Sequence, residues 1–320
     1  MQTFLRHAAC LLIFAAAPAL AQWVPTKPVR VIVPFPAGGI VDLMARTATD
    51  KLAAALGQPV IVDTRAGAQG SIGTEAAARA EADGHTLLMA TLSHAALPAF
   101  GGLPWHPTRD FAGVALLGQV PNLVVVTTSL EPKTLKEFID HARARPGKIN
   151  FVNGGNGTSQ TLGVMRLQKN TGIQLTSVGY KGYPPAVPDL ISGLVQFAYA
   201  PFGVVAPQVR AGKLRAIAIA APVRSKQFPD VPTMAEAGFG ESLVTSWYAW
   251  LVPKQTPRPA VERLARELAR IAADPEVVAR MEAVGGSGLP AMAPANLDSW
   301  LAGEVDLWAR FVAETGLKAE

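Results

Sequence analysis

The stretch "PVRVIVPFPAGGIVDLMAR", Pro28 to Arg46, decides the fold. Its first eight residues, Pro28–Phe35, form an apolar, β-branched run that reads as a buried strand. Pro36-Ala37-Gly38-Gly39 then interrupts it, and Val41–Leu56 carries a helical pattern closed by Gly57. Strand, bare glycine turn and helix make the first half of a β-α-β unit. Exposed backbone between a strand and a helix suits close approach by another group, because glycine has no side chain to block it. The same turn also reads as nothing more than a tight connection.

Downstream, "PVIVD" (Pro59–Asp63) is a second strand, Thr74–Ala82 a helix and "HTLLMAT" (His85–Thr91) a third strand. That alternation predicts a parallel sheet covered by helices. A second set follows. Its strands are Asn122–Ser129, Lys148–Asn153, Leu175–Tyr180, Val195–Ala200 and Leu214–Ala220. Helical segments separate them, the first opened by Thr134 and Glu137 at capping-box spacing. "SWYAWLVP" (Ser246–Pro253) is a further strand, leading into helices over 259–273, 275–284 and 295–315. The expected fold class is α/β in two lobes, each a mostly parallel sheet flanked by helices, with a cleft between them. Residues 22–124 plus 248–320 are assigned to one lobe and 125–247 to the other, so closure would be a hinge on two crossing strands.

Composition agrees with a folded chain: 49% of the 320 residues are hydrophobic and 17% charged. The net charge of +5 is scattered, with no basic run, so no nucleic-acid partner is expected. Residues 1–21 read as a signal peptide: Arg6, the apolar run Ala8–Pro18, and the small-residue site Ala19-Leu20-Ala21. That run is shorter than the roughly 20 residues a membrane span needs. Cleavage would remove Cys10, the only cysteine, leaving an exported protein without disulfide or thiol chemistry.

Catalytic signatures are missing. The five histidines show no metal-ligand spacing, no G-x-S-x-G elbow surrounds Ser71 or Ser287, and there is no P-loop. Gly67, Gly70 and Gly73 are spaced too loosely for a dinucleotide site. No metal, no cofactor and no enzymatic activity are expected. A hydrolase using Ser93 or Ser159 with His94 stays as an alternative.

Small, polar loops follow the strands instead. They are Pro36–Gly39, Thr91–His94, Gly154–Gln160, Tyr180–Pro185 and Ala200–Gly203. In open α/β sheets the C-terminal strand ends face one crevice, where ligands bind. Helix N-termini at such a rim present free N–H groups and partial positive charge, which suit a carboxylate. Each loop also has a plainer reading: Asp42 as a helix cap, Thr158 or Ser159 as the cap of the next helix, His94 and Tyr180 as packed residues, Lys181 as a solvated lysine, and Trp247 and Tyr248 as interface packing.

The segments "KPVRVIVPFPAGGIVDLMAR", "GQPVIVDTRAGAQGSIGTEAAARAEADGHTLLM", "PGKINFVNGGNGTSQTLG", "LRAIAIAAPVRSKQFPDVPTMAEAGF" and "SWYAWLVPKQTP" occur in order. Together they resemble the Bug proteins, periplasmic solute-binding components of the tripartite tricarboxylate transporter system. The likeness covers the whole chain after residue 21 and rests most specifically on Pro34–Gly39 and the PDVPT motif, Pro229–Thr233. It implies a two-lobed periplasmic binding protein of type II-like fold that closes on a small organic acid and delivers it to membrane permease subunits. It also implies a monomer in the periplasm, with sensing for a signalling partner as an alternative. By the same resemblance, the ligand-binding residues are Phe35, Pro36, Ala37, Gly38, Gly39, Ile40, Ser93, Asn156, Gly157, Thr158, Ser159, Tyr180 and Ala200, holding the acid without an arginine clamp. One departure stands out: Gln196 and Ala200 occupy strand positions where the family commonly carries acids. Loss of an acid at Ala200 favours a bulkier or more apolar ligand, such as an aromatic carboxylate, over one bearing an amine.

Overall fold

A computed structural model describes residues 23–288 and 292–317. The signal-peptide reading of 1–21 lies outside the described residues. In chain order, β1 (Val29–Val33), α1 (Ile40–Leu56), β2 (Val60–Thr64), α2 (Ser71–Ala78), β3 (Thr86–Thr91), α3 (Leu92–Ala96) and β4 (Phe111–Val120) come first. Next come β5 (Asn122–Thr127), α4 (Leu135–Arg143), β6 (Asn150–Asn153), α5 (Ser159–Thr171), β7 (Thr176–Gly179), α6 (Val187–Ser192), β8 (Phe197–Pro201), α7 (Phe202–Arg210) and β9 (Leu214–Ala220). The chain ends with β10 (Ser246–Pro253), α8 (Arg258–Ala272), α9 (Pro275–Ala283), β11 (Ser287–Gly288) and α10 (Pro294–Thr315).

These strands build two sheets, ordered β11-β4-β10-β3-β1-β2 and β7-β6-β8-β5-β9. Each has the expected parallel nucleus: β1 with β2 and β3, and β6 with β7 and β8. The crossing strands make both sheets more mixed than expected. β10 runs antiparallel to β3 and β4, and β5 antiparallel to β8 and β9. Pro121, between β4 and β5, is where the chain leaves the first sheet; it returns through the segment between Leu243 and Ser246, whose first strand residue pairs with Val120.

β4 and α3 are absent from the sequence reading. Gly113 and Gly118 dilute the β-type signal of β4. A Cβ on Gly113 would lie 2.8 Å from Leu297 of α10, and one on Gly118 would lie 2.5 Å from the Ser287 carbonyl of β11. Those glycines are there so that other elements can lie flat on the strand. α3 is a single short helix, started by Thr91, whose side-chain oxygen accepts from Ser93 N.

Both faces of the sheets are covered. Along β3, Leu87 and Met89 enter one apolar layer, and Leu88 and Ala90 the other. On β5, Leu123 and Val125 join the first layer, and Val124 and Val126 the second. Each layer therefore runs across both sheets, which is why the central strands read as continuous apolar runs, while the edge strands β2 and β7 stay partly exposed. One polar clamp ties the returning segment down. The hydroxyl of fully buried Tyr199, on β8, donates to Val244 O at 2.8 Å and accepts from Val244 N at 2.9 Å. Tyr199→Phe strands both backbone groups without a partner. It is expected to cost about 1–3 kcal/mol, read as a lower urea midpoint at unchanged slope.

Candidate functional site

The glycine turn after β1 is built as a cap. Gly38 N donates to Asp42 Oδ2 at 2.9 Å and Gly39 N to Pro36 O at 3.2 Å. Asp42 is itself buried and holds Arg46 Nε at 3.0 Å. Asp42 thus takes the capping role considered for it, and two of the turn's amides already have partners. Pro36, Ala37 and Gly38 stay exposed, while Phe35, Gly39 and Ile40 are half-buried. Phe35 leans on the neighbouring turn: a Cβ on Gly70 would lie 3.2 Å from its ring.

The loop after β6 is organised by Asn153, which sequence reasoning did not single out. Its Oδ1 accepts from Gly155 N at 2.8 Å and Thr161 Oγ1 at 2.9 Å. Its Nδ2 donates to Asn156 Oδ1 and Ser177 Oγ, both at 3.0 Å. An asparagine closing a strand before G-G-N-G was the available signal, since its short side chain bonds nearby backbone. Thr158 caps α5, accepting from Thr161 N at 3.3 Å and donating to Gly155 O at 2.8 Å.

The Ser159 hydroxyl is engaged within the protein. The residue is buried, with its hydroxyl in a short hydrogen bond to Ser246 Oγ. Gln160 Nε2 donates to Asn122 Oδ1 at 2.8 Å. These buried side chains tie together the start of β5, the first turn of α5 and the start of β10. They form a polar knot where the two sheets are joined. Trp247 and Tyr248 pack beside it, both buried, with Trp247 Nε1 donating to Glu304 at 2.9 Å.

The loops of the two sheets meet across the rim. Gly157 N donates to Gln69 Oε1 at 2.9 Å, although 88 residues separate them in the chain. A Cβ on Gly157 would lie only 2.5 Å from Leu97. The turn before α2, which also supports Phe35, therefore touches the turn before α5. α1, of 17 residues, starts at the Pro36–Gly39 turn beside Phe35, and α5, of 13, starts at the turn that carries Gly157. The charge offered there comes from backbone dipoles. Lys181, the nearby cation considered from sequence, lies at the exposed surface.

The remaining expected site residues take no part in the Gln69–Gly157 hydrogen bond. Ser93 is buried in α3. Tyr180 is half-buried and its hydroxyl donates to Asp189 Oδ2 at 2.7 Å. Burial and the Asp189 hydrogen bond push its pKa up to about 12, so it stays a neutral donor. Ala200 is fully buried on β8, opposite Leu123. Gln196 is spent on backbone, accepting from Asn150 N at 2.8 Å at the far end of the strand.

Among the described residues no hydrogen bond joins His94 to Ser93 or Ser159. Its Nε2 meets Pro107 O at 3.0 Å, and its ring stacks on Trp105 with centroids 5.1 Å apart. Full burial depresses its pKa to about 4. Among the described residues no cluster of His, Cys, Asp or Glu could hold a metal ion, and no helix is long and apolar enough to cross a membrane. The PDVPT motif proves to be structural: Ile219 N donates to Pro232 O at 2.8 Å and Met234 N to Ile219 O at 3.0 Å, stitching the motif to β9. Two grooves follow α10, the larger about 490 Å³ and lined by Trp247, Trp300 and Trp308, and neither includes any residue of the rim contact.

Residues 44–317 match the model of the tripartite tricarboxylate transporter family receptor. Protein BugT of Bordetella pertussis is 37% identical over 306 residues, covering 95% of this chain and 94% of that protein. Among solved structures, the periplasmic binding protein BugD superposes with a TM-score of 0.83 at 30% identity, over 92% of this chain and all of that one. MatC of Rhodopseudomonas palustris, solved with bound malate, superposes with a TM-score of 0.81 at 32% identity, over 90% of this chain and 99% of that one.

Proposed function

The chain belongs to the tripartite tricarboxylate transporter receptor family, and on that premise we propose that it captures a small organic carboxylate in the periplasm and hands it to membrane permease subunits. The observation that carries this reading is the rim contact: Gln69 of the turn before α2 and Leu97 of the turn after α3, both on the first sheet's side, meet Gly157 of the turn before α5 on the second. A ligand held at that rim bonds to both halves at once. It therefore stabilises the closed arrangement by its differential contacts, with no covalent step.

The acid group is held by amides at the starts of α1 and α5, from Phe35–Ile40 and Asn156–Ser159. Ser93, Tyr180 and Ala200 shape the walls. Bending takes place at Pro121 and in the segment before Ser246, with the knot of Asn122, Ser159, Gln160 and Ser246 as the pivot. These bends lie within a few residues of the lobe bounds read from sequence, 22–124 plus 248–320 and 125–247, in a monomer exported by residues 1–21. Ala200 brings no negative charge, so the far end of the ligand is apolar, aromatic or a second carboxylate, and not an amine.

Titration calorimetry with malate, adipate, benzoate and aspartate tests the reading. Saturable binding of at least one of the first three, with aspartate weaker, is expected. Absence of binding to all three acids would overturn it, and a preference for aspartate would overturn the ligand class.

A further inference from the structure

Gln69 is the residue that the loose glycine spacing at 67, 70 and 73 left without a role. It sits at the tip of the turn between β2 and α2, on the first sheet's side of the rim. Its side chain reaches across to the loop before α5. There Oε1 accepts from Gly157 N at 2.9 Å, and a Cβ on Gly155 would lie 3.1 Å from Gln69 Cγ and Cδ. The side-chain amide thus fills the crook that Gly155 and Gly157 leave open by lacking side chains.

The backbone beneath it is unusual. Ala68 and Gln69, at φ 44° and 56°, are the only described non-glycine residues in the left-handed region. That conformation is disfavoured for residues with a Cβ. It aims the glutamine at the opposite lobe, between Gly67 and Gly70, whose φ of 136° and 100° complete the turn.

We infer that Gln69 is a specificity-determining residue of the rim: its Oε1 occupies the Gly157 amide in the place of a ligand oxygen, and an acid binds only by displacing it. This rests on the reading that the rim holds a carboxylate. The competing acceptor is a neutral amide oxygen. An ionised carboxylate makes a charge-assisted bond to the same N–H, roughly twice as strong. Gln69 therefore sets a threshold that a carboxylate clears and a neutral acceptor does not. Because Gln69 leaves the amide when the acid arrives, its removal costs the complex nothing and relieves the free protein of a competitor.

Full-length mature protein, Gln69→Ala and Gln69→Glu are compared in two measurements. The first is hydrogen exchange of the Gly157 amide without added acid. It speeds up by about 2- to 12-fold in Gln69→Ala, the range of an ordinary hydrogen bond. The second is calorimetry with malate, adipate and benzoate. Whichever acid binds does so about 2- to 12-fold more tightly in Gln69→Ala and more weakly in Gln69→Glu, whose carboxylate competes for the amide and repels the ligand. Unchanged exchange in Gln69→Ala overturns the inference. So does unchanged or weaker acid binding by that variant, which would mean that Gln69 keeps its bond in the complex. If exchange responds but no acid binds to any of the three proteins, the carboxylate reading falls, and the role in selectivity falls with it.

Discussion

Gly157→Val weakens carboxylate binding by about 5- to 150-fold, while the two sheets fold as before. The backbone of Gly157 is not in the left-handed region, so valine meets no local strain. The conflict lies across the rim. An ideal Cβ at 157 would stand 2.5 Å from Leu97 Cδ2 and 2.9 Å from Leu97 Cγ, and valine adds two more carbons. Leu97 is buried and belongs to the turn after α3, so it yields only by moving part of the first lobe. Overpacking of this kind costs roughly 1–3 kcal/mol, and each 1.4 kcal/mol is about tenfold in affinity. The cost falls on the closed arrangement alone, because Gly157 and Leu97 lie on different halves. Calorimetry on Gly157→Val, Leu97→Ala and the double variant checks this. In the double variant, Leu97→Ala restores most of the affinity that Gly157→Val loses to the closure clash, a coupling that a double-mutant cycle isolates. Additive losses would place the obstruction elsewhere.

The second large effect is on stability in mild acid. His94 is held neutral between Trp105, Phe111 and the Pro107 carbonyl, with burial first and the charge of His106 also lowering its pKa from 6.5 to about 4. Between those values the unfolded chain binds the proton and the folded chain does not. The stabilisation is complete above the ordinary histidine value and is lost as the pH falls towards 4. From pH 7 to about pH 5 the loss is about 2 kcal/mol. The carboxylates with lowered values, Asp83 at about 2 among them, add their own loss at lower pH. Urea unfolding at the two pH values measures the slope. His94→Gln, which has no proton to take up, flattens it over this window. An equal slope in the variant would assign the acid sensitivity to another group.

The parallel nuclei were legible through their central strands, because β1, β3 and β8 are buried along almost their whole length and read as continuous apolar runs. β9 and β10 matched residue for residue, at Leu214–Ala220 and Ser246–Pro253. Helix ends were legible where a cap announces itself, as with Gly57 at φ 68° and Thr134 accepting from Glu137 N. β4 was not, because its glycines answer to α10 and β11, which are distant in the chain. In the site, the glycine loops were visible as bare backbone. Asp42 was legible as a cap, but the occupation of the other amides was not, because Asn153 and Gln69 look like ordinary polar residues until their partners are known.

Local order along the chain by itself determined two β/α sets, their turns and the likeness to a receptor family, because strand, turn and helix signals depend on neighbours within a few residues. Only the tertiary structure decided that the Ser159 hydroxyl meets Ser246, that Ala200 is enclosed, and that Gln69 reaches Gly157. Each of those facts is a contact between segments that are remote in sequence, and the free energy of such a contact depends on the distance that folding alone sets.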